Sequence, residues 1–258
     1  MKKPLISKLF NYKSKIILIT GSSGLIGKSL IKLFLLNGSY VIGLDKKSSN
    51  TKHKRFHYYN VDLSKKNDVE NVLIDVIKKF KKIDLIINNA GVSVFTRFDK
   101  RTDKEIQDTV KGNIISTLNV INSYFKIHKK KKLSKTNVIN FGSIYGFLSP
   151  DFRIYSKKDN FNSEIYGATK AGVIQLTKYY SVILAKHKIR VNCLSPGGII
   201  NQYKPPNSKF IKNYSARVPQ KRIGLVDDLY TAVLFLGSEH SDYINGQNIC
   251  VDGGLSCW

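Results

Sequence analysis

Tyr166 and Lys170 stand four residues apart in Tyr166-Gly167-Ala168-Thr169-Lys170. On a helix, residues i and i+4 lie one above the other on the same face, so this spacing brings an ammonium close to a phenol. A free tyrosine has a pKa of about 10, and a fixed cation beside it favours the phenolate; each tenfold gain in ionisation is worth roughly 1.4 kcal/mol. A phenol tuned in this way exchanges a proton with an alcohol or carbonyl near neutral pH. Alone, the spacing equally describes two solvated helix residues, so its meaning depends on the rest of the chain.

A second group is the turn Thr20-Gly21-Ser22-Ser23-Gly24-Leu25-Ile26-Gly27, placed where an apolar run passes into a helical pattern. Glycines there let the backbone turn tightly and approach a pyrophosphate, whose charge the helix N-terminus receives. Asp45 closes the second apolar run, where a carboxylate accepts hydrogen bonds from ribose hydroxyls and repels a 2′-phosphate, favouring NAD(H) over NADP(H). Lys46 and Lys47 follow at once and offer a 2′-phosphate a partner, which leaves NADP(H) as the alternative. Asp62 is read as an adenine contact or a helix N-cap.

The elements that must position these groups alternate in type. Ile16–Ile19, Tyr40–Leu44, Phe56–Val61, Ile83–Ile87, Val138–Phe141, Ile189–Leu194 and Asn248–Val251 read as strands. Helical patterns cover Leu25–Leu36 and Asp68–Phe80, a long segment through Asn113 and Tyr124, and the segment bearing Tyr166. This alternation predicts an α/β fold, a doubly wound parallel sheet of seven strands with helices on both faces. No linker or repeat divides the chain, so one domain over 15–258 follows a short basic tail over 1–14.

Of 258 residues, 43 are Lys or Arg and 18 Asp or Glu, a net charge of +25. The excess is mostly lysine and is spread along the chain, which reads as a solvated surface and not a nucleic-acid groove. Lys129-Lys130-Lys131-Lys132 suits the negative end of a helix dipole. No apolar run approaches the roughly 20 residues of a membrane span, and no secretory signal is expected. Cys193, Cys250 and Cys257 form no metal-ligand pattern and read as reduced thiols of a cytoplasmic protein; no metal is expected.

Taken together, the glycine turn, Asn88-Asn89-Ala90-Gly91, Ser143, Tyr166 with Lys170, Pro196-Gly197-Gly198 and Asn245-Gly246-Gln247 before Val251-Asp252-Gly253-Gly254 resemble, in order, the short-chain dehydrogenase/reductase family. The likeness covers nearly all the chain beyond about residue 14. It implies a single Rossmann-type domain that moves hydride between NAD(P)(H) and an alcohol or carbonyl of a small-molecule substrate. It further implies that Tyr166 is the acid/base and that Lys170 contacts the nicotinamide ribose and lowers the tyrosine pKa. Ser143 would hold the substrate oxygen, and Asn113 would anchor a proton-relay water. Cofactor contacts are implied along Gly21, Ser23, Gly24, Leu25 and Ile26, at Asp45, Asp62 and Leu63, and at Asn89, Ala90 and Gly91. They continue at Tyr166, Lys170, Pro196, Gly197 and Ile199. Members of the family usually pair through the helices bearing Asn113 and Tyr166, giving a homodimer or homotetramer.

Departures from the family pattern concern the substrate side. The glycines fall as Gly21, Gly24 and Gly27, a spacing typical of the longer, extended branch, while the short ending at Val251-Asp252-Gly253-Gly254 belongs to the single-domain branch. Ser143 and Tyr166 are 23 positions apart, which implies an enlarged loop over 147–163. Tyr145, Phe152, Arg153 and Gly198 are the expected substrate contacts, with Arg153, Lys157 or Lys158 available to a phosphate or carboxylate. The threonine that often follows Pro-Gly is missing, and Asn201 or Gln202 is its candidate replacement. The loop and its flanks look like the subgroup that modifies sugars of bacterial flagellin and surface polysaccharide. The leading expectation is therefore oxidoreduction of a sugar or nucleotide-sugar. Alternatives are a 3-oxoacyl carrier-protein reductase and a catalytically silent nucleotide-binding protein.

Overall fold

The computed structural model describes residues 10–155 and 161–258. Strand β1 (Ile16–Thr20) leads through the glycine turn into α1 (Leu25–Leu36), then β2 (Tyr40–Asp45), β3 (Phe56–Asn60), α2 (Lys66–Phe80) and β4 (Leu85–Asn88). Next come α3 (Asp103–Val110), a π-helical segment (Lys111–Ile115), α4 (Ser116–Lys131) and β5 (Thr136–Phe141). The second half adds α5 (Glu164–Ala185), β6 (Ile189–Pro196), α6 (Ser208–Arg217), α7 (Tyr230–Gly237) and β7 (Asn248–Val251).

All seven strands are parallel, in the order β3-β2-β1-β4-β5-β6-β7. The chain winds outward from β1 in one direction, then returns to add β4 on β1's other side. That reversal opens a crevice at the C-terminal ends of β1 and β4, where ligands bind in open α/β sheets. The expected seven-stranded doubly wound sheet is thus observed. Along β1, Ile16 and Leu18 join one core layer with Val69, Leu73 and Val76 of α2, Val120 and Tyr124 of α4, and Leu184 of α5. Ile17 and Ile19 join the opposite layer with Leu30, Ile31 and Phe34 of α1 and Val233 and Leu236 of α7. Each such side chain contributes roughly 1.5–3 kcal/mol by leaving water.

Three features differ from the sequence expectation. Tyr12, within the expected basic tail, is a core residue: it is 4% exposed, meets Phe34 edge-on, and its hydroxyl donates to the Leu234 carbonyl at 2.6 Å. Residues 1–9 lie outside the described residues. The long helix through Asn113 is interrupted by the π-helical turn over Lys111–Ile115, a distortion that recurs at functional sites. Helices α6 and α7 have no counterpart in the sequence reading, although Asn207 caps α6 by accepting from the Phe210 amide at 2.8 Å. Near them, Ile154, Tyr214, Val218 and Ile223 form a small separate core.

Candidate active site

At the end of β1 the chain must reverse direction within a few residues. Gly21 adopts φ +63° and lies against Ala90, leaving no room for a Cβ. A Cβ on Gly27 would stand 2.2 Å from the Gly21 carbonyl oxygen, so α1 starts flush against the turn. The β4 end is tied to the same turn: Asn89 Nδ2 donates to the Thr20 carbonyl at 3.0 Å, and the Ala90 amide donates to Thr20 Oγ1 at 3.0 Å.

Asp45, at the end of β2, accepts from the Ser23 amide at 2.9 Å and from the Lys47 amide at 2.9 Å. The carboxylate is therefore aligned with the glycine turn. Lys46 forms an ion pair with Asp62 at 3.0 Å and so turns toward the carboxylate after β3. Burial would raise the Asp62 pKa, but hydrogen bonds from Ser64 and the Lys46 ammonium outweigh it and hold the group below its usual value. Leu63 is a buried core residue whose carbonyl accepts from Asn119 at 2.9 Å. Leu25 is exposed at the start of α1.

Ser143 follows β5 and caps the short turn Ile144–Gly146, accepting from the Tyr145 amide at 3.2 Å. That turn lies directly on α5. A Cβ on Gly146 would meet the Lys170 backbone at 2.9 Å, and one on Gly167 would meet the Tyr145 carbonyl oxygen at 2.8 Å. One glycine on each element lets turn and helix touch, which brings Ser143 into hydrogen-bonding reach of the Tyr166 phenol. Ser163 caps α5 by accepting from the Tyr166 amide at 3.1 Å.

Burial raises the Tyr166 pKa above its ordinary value, and the hydrogen bond with Ser143 opposes that rise only in part. Lys170 lies 5.7 Å from the Tyr166 ring centroid, yet its Nζ donates to the Phe141 carbonyl oxygen at 2.7 Å. Burial lowers the Lys170 pKa to about 8. The expected depression of the tyrosine pKa by lysine is therefore not seen: burial dominates at Tyr166, and the Lys170 ammonium is engaged by the Phe141 carbonyl. Asn113 is fully paired: Oδ1 accepts from the Val92 amide at 2.7 Å, while Nδ2 donates to the Val92 carbonyl at 3.0 Å and to Thr169 Oγ1 at 2.8 Å. Its own carbonyl accepts from Thr117 Oγ1 at 2.9 Å. Asn113 thus bolts the π turn, the loop after β4 and α5 together.

Two cavities meet here. The smaller, about 260 Å³, is lined by Ile26, Asn89, Gly91, Ser143, Tyr166, Lys170, Pro196, Gly197 and Ile199, among others. The larger, about 620 Å³, shares Ser143, Tyr166, Gly197 and Ile199 with it and extends to Tyr145, Tyr155, Gly198, Phe210 and Tyr214. The smaller one reaches Ile26 at the start of α1, beside the turn that Gly21, Gly24 and Gly27 allow to pack tightly on itself and on Ala90. Among the described residues, the only cation lining it is Lys170, with Gly91 against its ammonium. This arrangement fits a nicotinamide dinucleotide.

On the larger cavity the expectation divides. Tyr145 and Gly198 line it; Phe152 and Arg153 do not. Phe152 is exposed and meets Phe161 edge-on, and Arg153 is spent on a two-pronged ion pair with Asp151 at 2.9 and 3.0 Å. Lys157 and Lys158 lie outside the described residues. Asn201 lines the larger cavity but its Oδ1 already accepts from the Tyr203 amide at 3.0 Å. Sequence reasoning missed Phe95, Phe210 and Tyr214; Tyr155 and Asn162 belong to the expected 147–163 substrate loop, although that reading does not single them out as contacts. The available signal was the aromatic pair Phe210 and Tyr214, four apart behind a capping Asn207.

Comparison with known proteins agrees with this geometry. The family described as enoyl-(acyl carrier protein) reductase matches residues 40–256. The chain is similar to the crystal structure of a short-chain dehydrogenase from Leptospira borgpetersenii with bound NAD+, at 38% identity and a TM-score of 0.90, covering 99% of this chain and 97% of that one. It is 31% identical over 251 residues to an uncharacterized oxidoreductase of Schizosaccharomyces pombe, covering 94% of this chain and 91% of that protein. It is 29% identical over 250 residues to a 3-oxoacyl-[acyl-carrier-protein] reductase of Buchnera aphidicola, covering 94% and 98%.

Proposed function

The chain belongs to the short-chain dehydrogenase/reductase family, NAD(P)-dependent oxidoreductases acting on CH–OH groups, and we propose that it oxidises or reduces a sugar or nucleotide-sugar in surface-glycan biosynthesis, with NAD(H) as cofactor. The observation that carries this reading is the meeting of the two cavities at Ser143 and Tyr166. A bound nicotinamide is the source or sink of hydride. Tyr166 gives a proton to the substrate oxygen during reduction and takes one during oxidation. Ser143 holds the same oxygen through a positioned hydrogen bond where charge develops. Lys170 orients the cofactor from its seat on the Phe141 carbonyl, and Asn113 fixes α5 in register with the cofactor crevice.

Preference for NAD(H) rests on Asp45, aligned with the Ser23 amide, and on Lys46 being engaged by Asp62. Pairing of two copies through α4 and α5 belongs to the same reading, since Tyr179 and Val182 expose apolar surface on α5. A cytoplasmic setting fits the three free cysteines.

The Buchnera relative favours a second reading, reduction of 3-oxoacyl groups on a carrier protein, for which the +25 surface would attract an acidic partner. Initial rates separate the two. Sugars and sugar nucleotides with NAD+ are expected to exceed acetoacetyl thioesters with NADH or NADPH. Faster thioester reduction overturns the sugar assignment.

A further inference from the structure

Charge that is scattered along the sequence is gathered by the fold. All seven strands are parallel, so the segments that lead into them lie at one edge of the sheet, opposite the cofactor crevice. Lys81 and Lys82 lead into β4, Lys132 and Lys135 into β5, and Lys186 and Lys188 into β6, three neighbouring strands. The Lys188 carbonyl oxygen accepts from the Thr136 amide at 3.1 Å, which sets the last of these segments against the start of β5. Helices α2 and α4 end on the same edge with further lysines in their last turns.

Carboxylates are few there. Among the described residues, the segments leading into the strands carry only Asp84, Glu239 and Asp242. Asp84 pairs with Lys15 at 3.9 Å and with Lys82 at 2.9 Å, and Asp242 pairs with Lys135. Lys81, Lys132, Lys186 and Lys188 are exposed and form no ion pair with the described residues.

Backbone geometry separates this face from ordinary solvated helix ends. Lys81, Lys132 and Lys188 take φ of +66°, +49° and +58°, left-handed values at which glycine is the unstrained choice. The equivalent reversal between α1 and β2 uses Gly38 at φ +78°. The helix dipoles do not call for these three lysines, since α2 and α4 already carry cations in their last turns. Three strained positions on one edge thus keep a charge where glycine would relax the chain.

The character of the face points to its partner. Lysines act as point charges, whereas the arginines at this edge are turned inward. Arg55 donates to the Gly38 carbonyl, and Arg190 donates to the carbonyls of Leu236, Ser238 and Ile244. Guanidinium forks of the kind that read nucleic-acid bases are therefore engaged elsewhere. Leu36, ending α1, and Tyr243, before β7, stand on the same edge at 77% and 104% exposure. Apolar and aromatic side chains among lysines suit the headgroup boundary of a bilayer. No helix among the described residues is long and apolar enough to cross a membrane, so the contact is with its surface.

We propose that the strand-entry edge of the sheet docks the enzyme on an anionic lipid bilayer. Lysines meet the lipid phosphates, Leu36 and Tyr243 enter the headgroup layer, and the cofactor crevice at the opposite edge stays open to solvent. This docking is independent of which substrate the site takes.

Cosedimentation of the full chain with vesicles tests it. Vesicles holding about 30% phosphatidylglycerol are expected to bind at least about 10-fold more tightly than pure phosphatidylcholine, and about 0.5 M salt to release the protein. Combining Lys81→Gly, Lys132→Gly and Lys188→Gly is expected to weaken binding roughly 100-fold. NADH affinity should be unchanged and the unfolding temperature no lower than the parent's. Combining Lys104→Gln, Lys209→Gln and Lys212→Gln removes the same charge from α3 and α6, away from this edge. That variant is expected to bind within about threefold of the parent. Equal losses from the two triple variants overturn the proposal, as does equal binding, or none, to both kinds of vesicle. Tighter binding to a single-stranded RNA of about 20 nucleotides, needing the same three lysines, would assign the face to nucleic acid instead.

Discussion

Lys170 Nζ donates to the backbone carbonyl oxygen of Phe141, the last residue of β5, at 2.7 Å. A strand end therefore fixes the cation beneath the Tyr166 ring, and burial brings its pKa down from 10.5 to about 8. Because the folded pKa lies below the unfolded one, the folded chain binds fewer protons between about pH 8 and 10.5. Stability rises with pH through that window, and the cost is fully present below it.

Lys170→Met tests this directly. Relief of a pKa change of that size is worth about 3 kcal/mol, offset by about 1 kcal/mol for the lost hydrogen bond. The cofactor-free variant is expected to be more stable than the parent by about 2 kcal/mol at pH 7 and, near pH 11 where Lys170 is neutral in both states, less stable by about 1 kcal/mol. Urea unfolding at both pH values decides it. A variant less stable at pH 7 would show that Lys170 is not a buried cost. Oxidoreductase activity is expected to be lost in either case.

Tyr166→Phe removes only the phenolic oxygen. Activity is expected to fall about 10²–10⁴-fold, the range for a positioned acid/base, while NADH affinity changes less than about threefold. Retained turnover would remove Tyr166 from its proposed role. In the cofactor-free protein Ser143→Ala is expected to push the tyrosine pKa further upward, since the Ser143 hydrogen bond is what opposes burial. Tyrosinate absorbance during an alkaline titration, with Tyr166→Phe as the blank, reads that change.

Asp45→Asn keeps the size of the side chain and removes its charge. If Asp45 repels a 2′-phosphate, the NADPH-to-NADH affinity ratio rises by about 10-fold, equivalent to roughly 1.4 kcal/mol. Fluorescence titration with both nucleotides measures it. An unchanged ratio would transfer cofactor choice to Lys46 and Lys47.

Gly27→Ala sets a methyl 2.2 Å from the Gly21 carbonyl oxygen, a backbone atom that cannot swing aside. It is expected to cost about 1–3 kcal/mol and to abolish measurable NADH binding. Gly24→Ala meets the same oxygen at 3.3 Å and is expected to stay within about 1 kcal/mol of the parent. Thermal unfolding with and without NADH compares the two, and equal effects would refute this packing of the turn.

Whatever depends on local order was legible in the chain alone. Apolar runs of strand length and helical periodicity located all seven strands and α1, because burial pattern and backbone period are properties of neighbouring residues. The same locality makes the glycine turn and the Tyr166–Lys170 pair legible, since each occupies a strand end or a single helix turn, whereas Ser143 is legible only through the resemblance to the family. Long-range packing settled the rest. It set Tyr12 in the core, turned Phe152 and Arg153 away from the larger cavity, and gave Lys170 the carbonyl of Phe141 as its partner. It also gathered Phe95, Tyr155, Asn162 and Tyr214 around one volume. Residues so far apart along the chain share no period, and their meeting follows from how the loops close over the sheet edge.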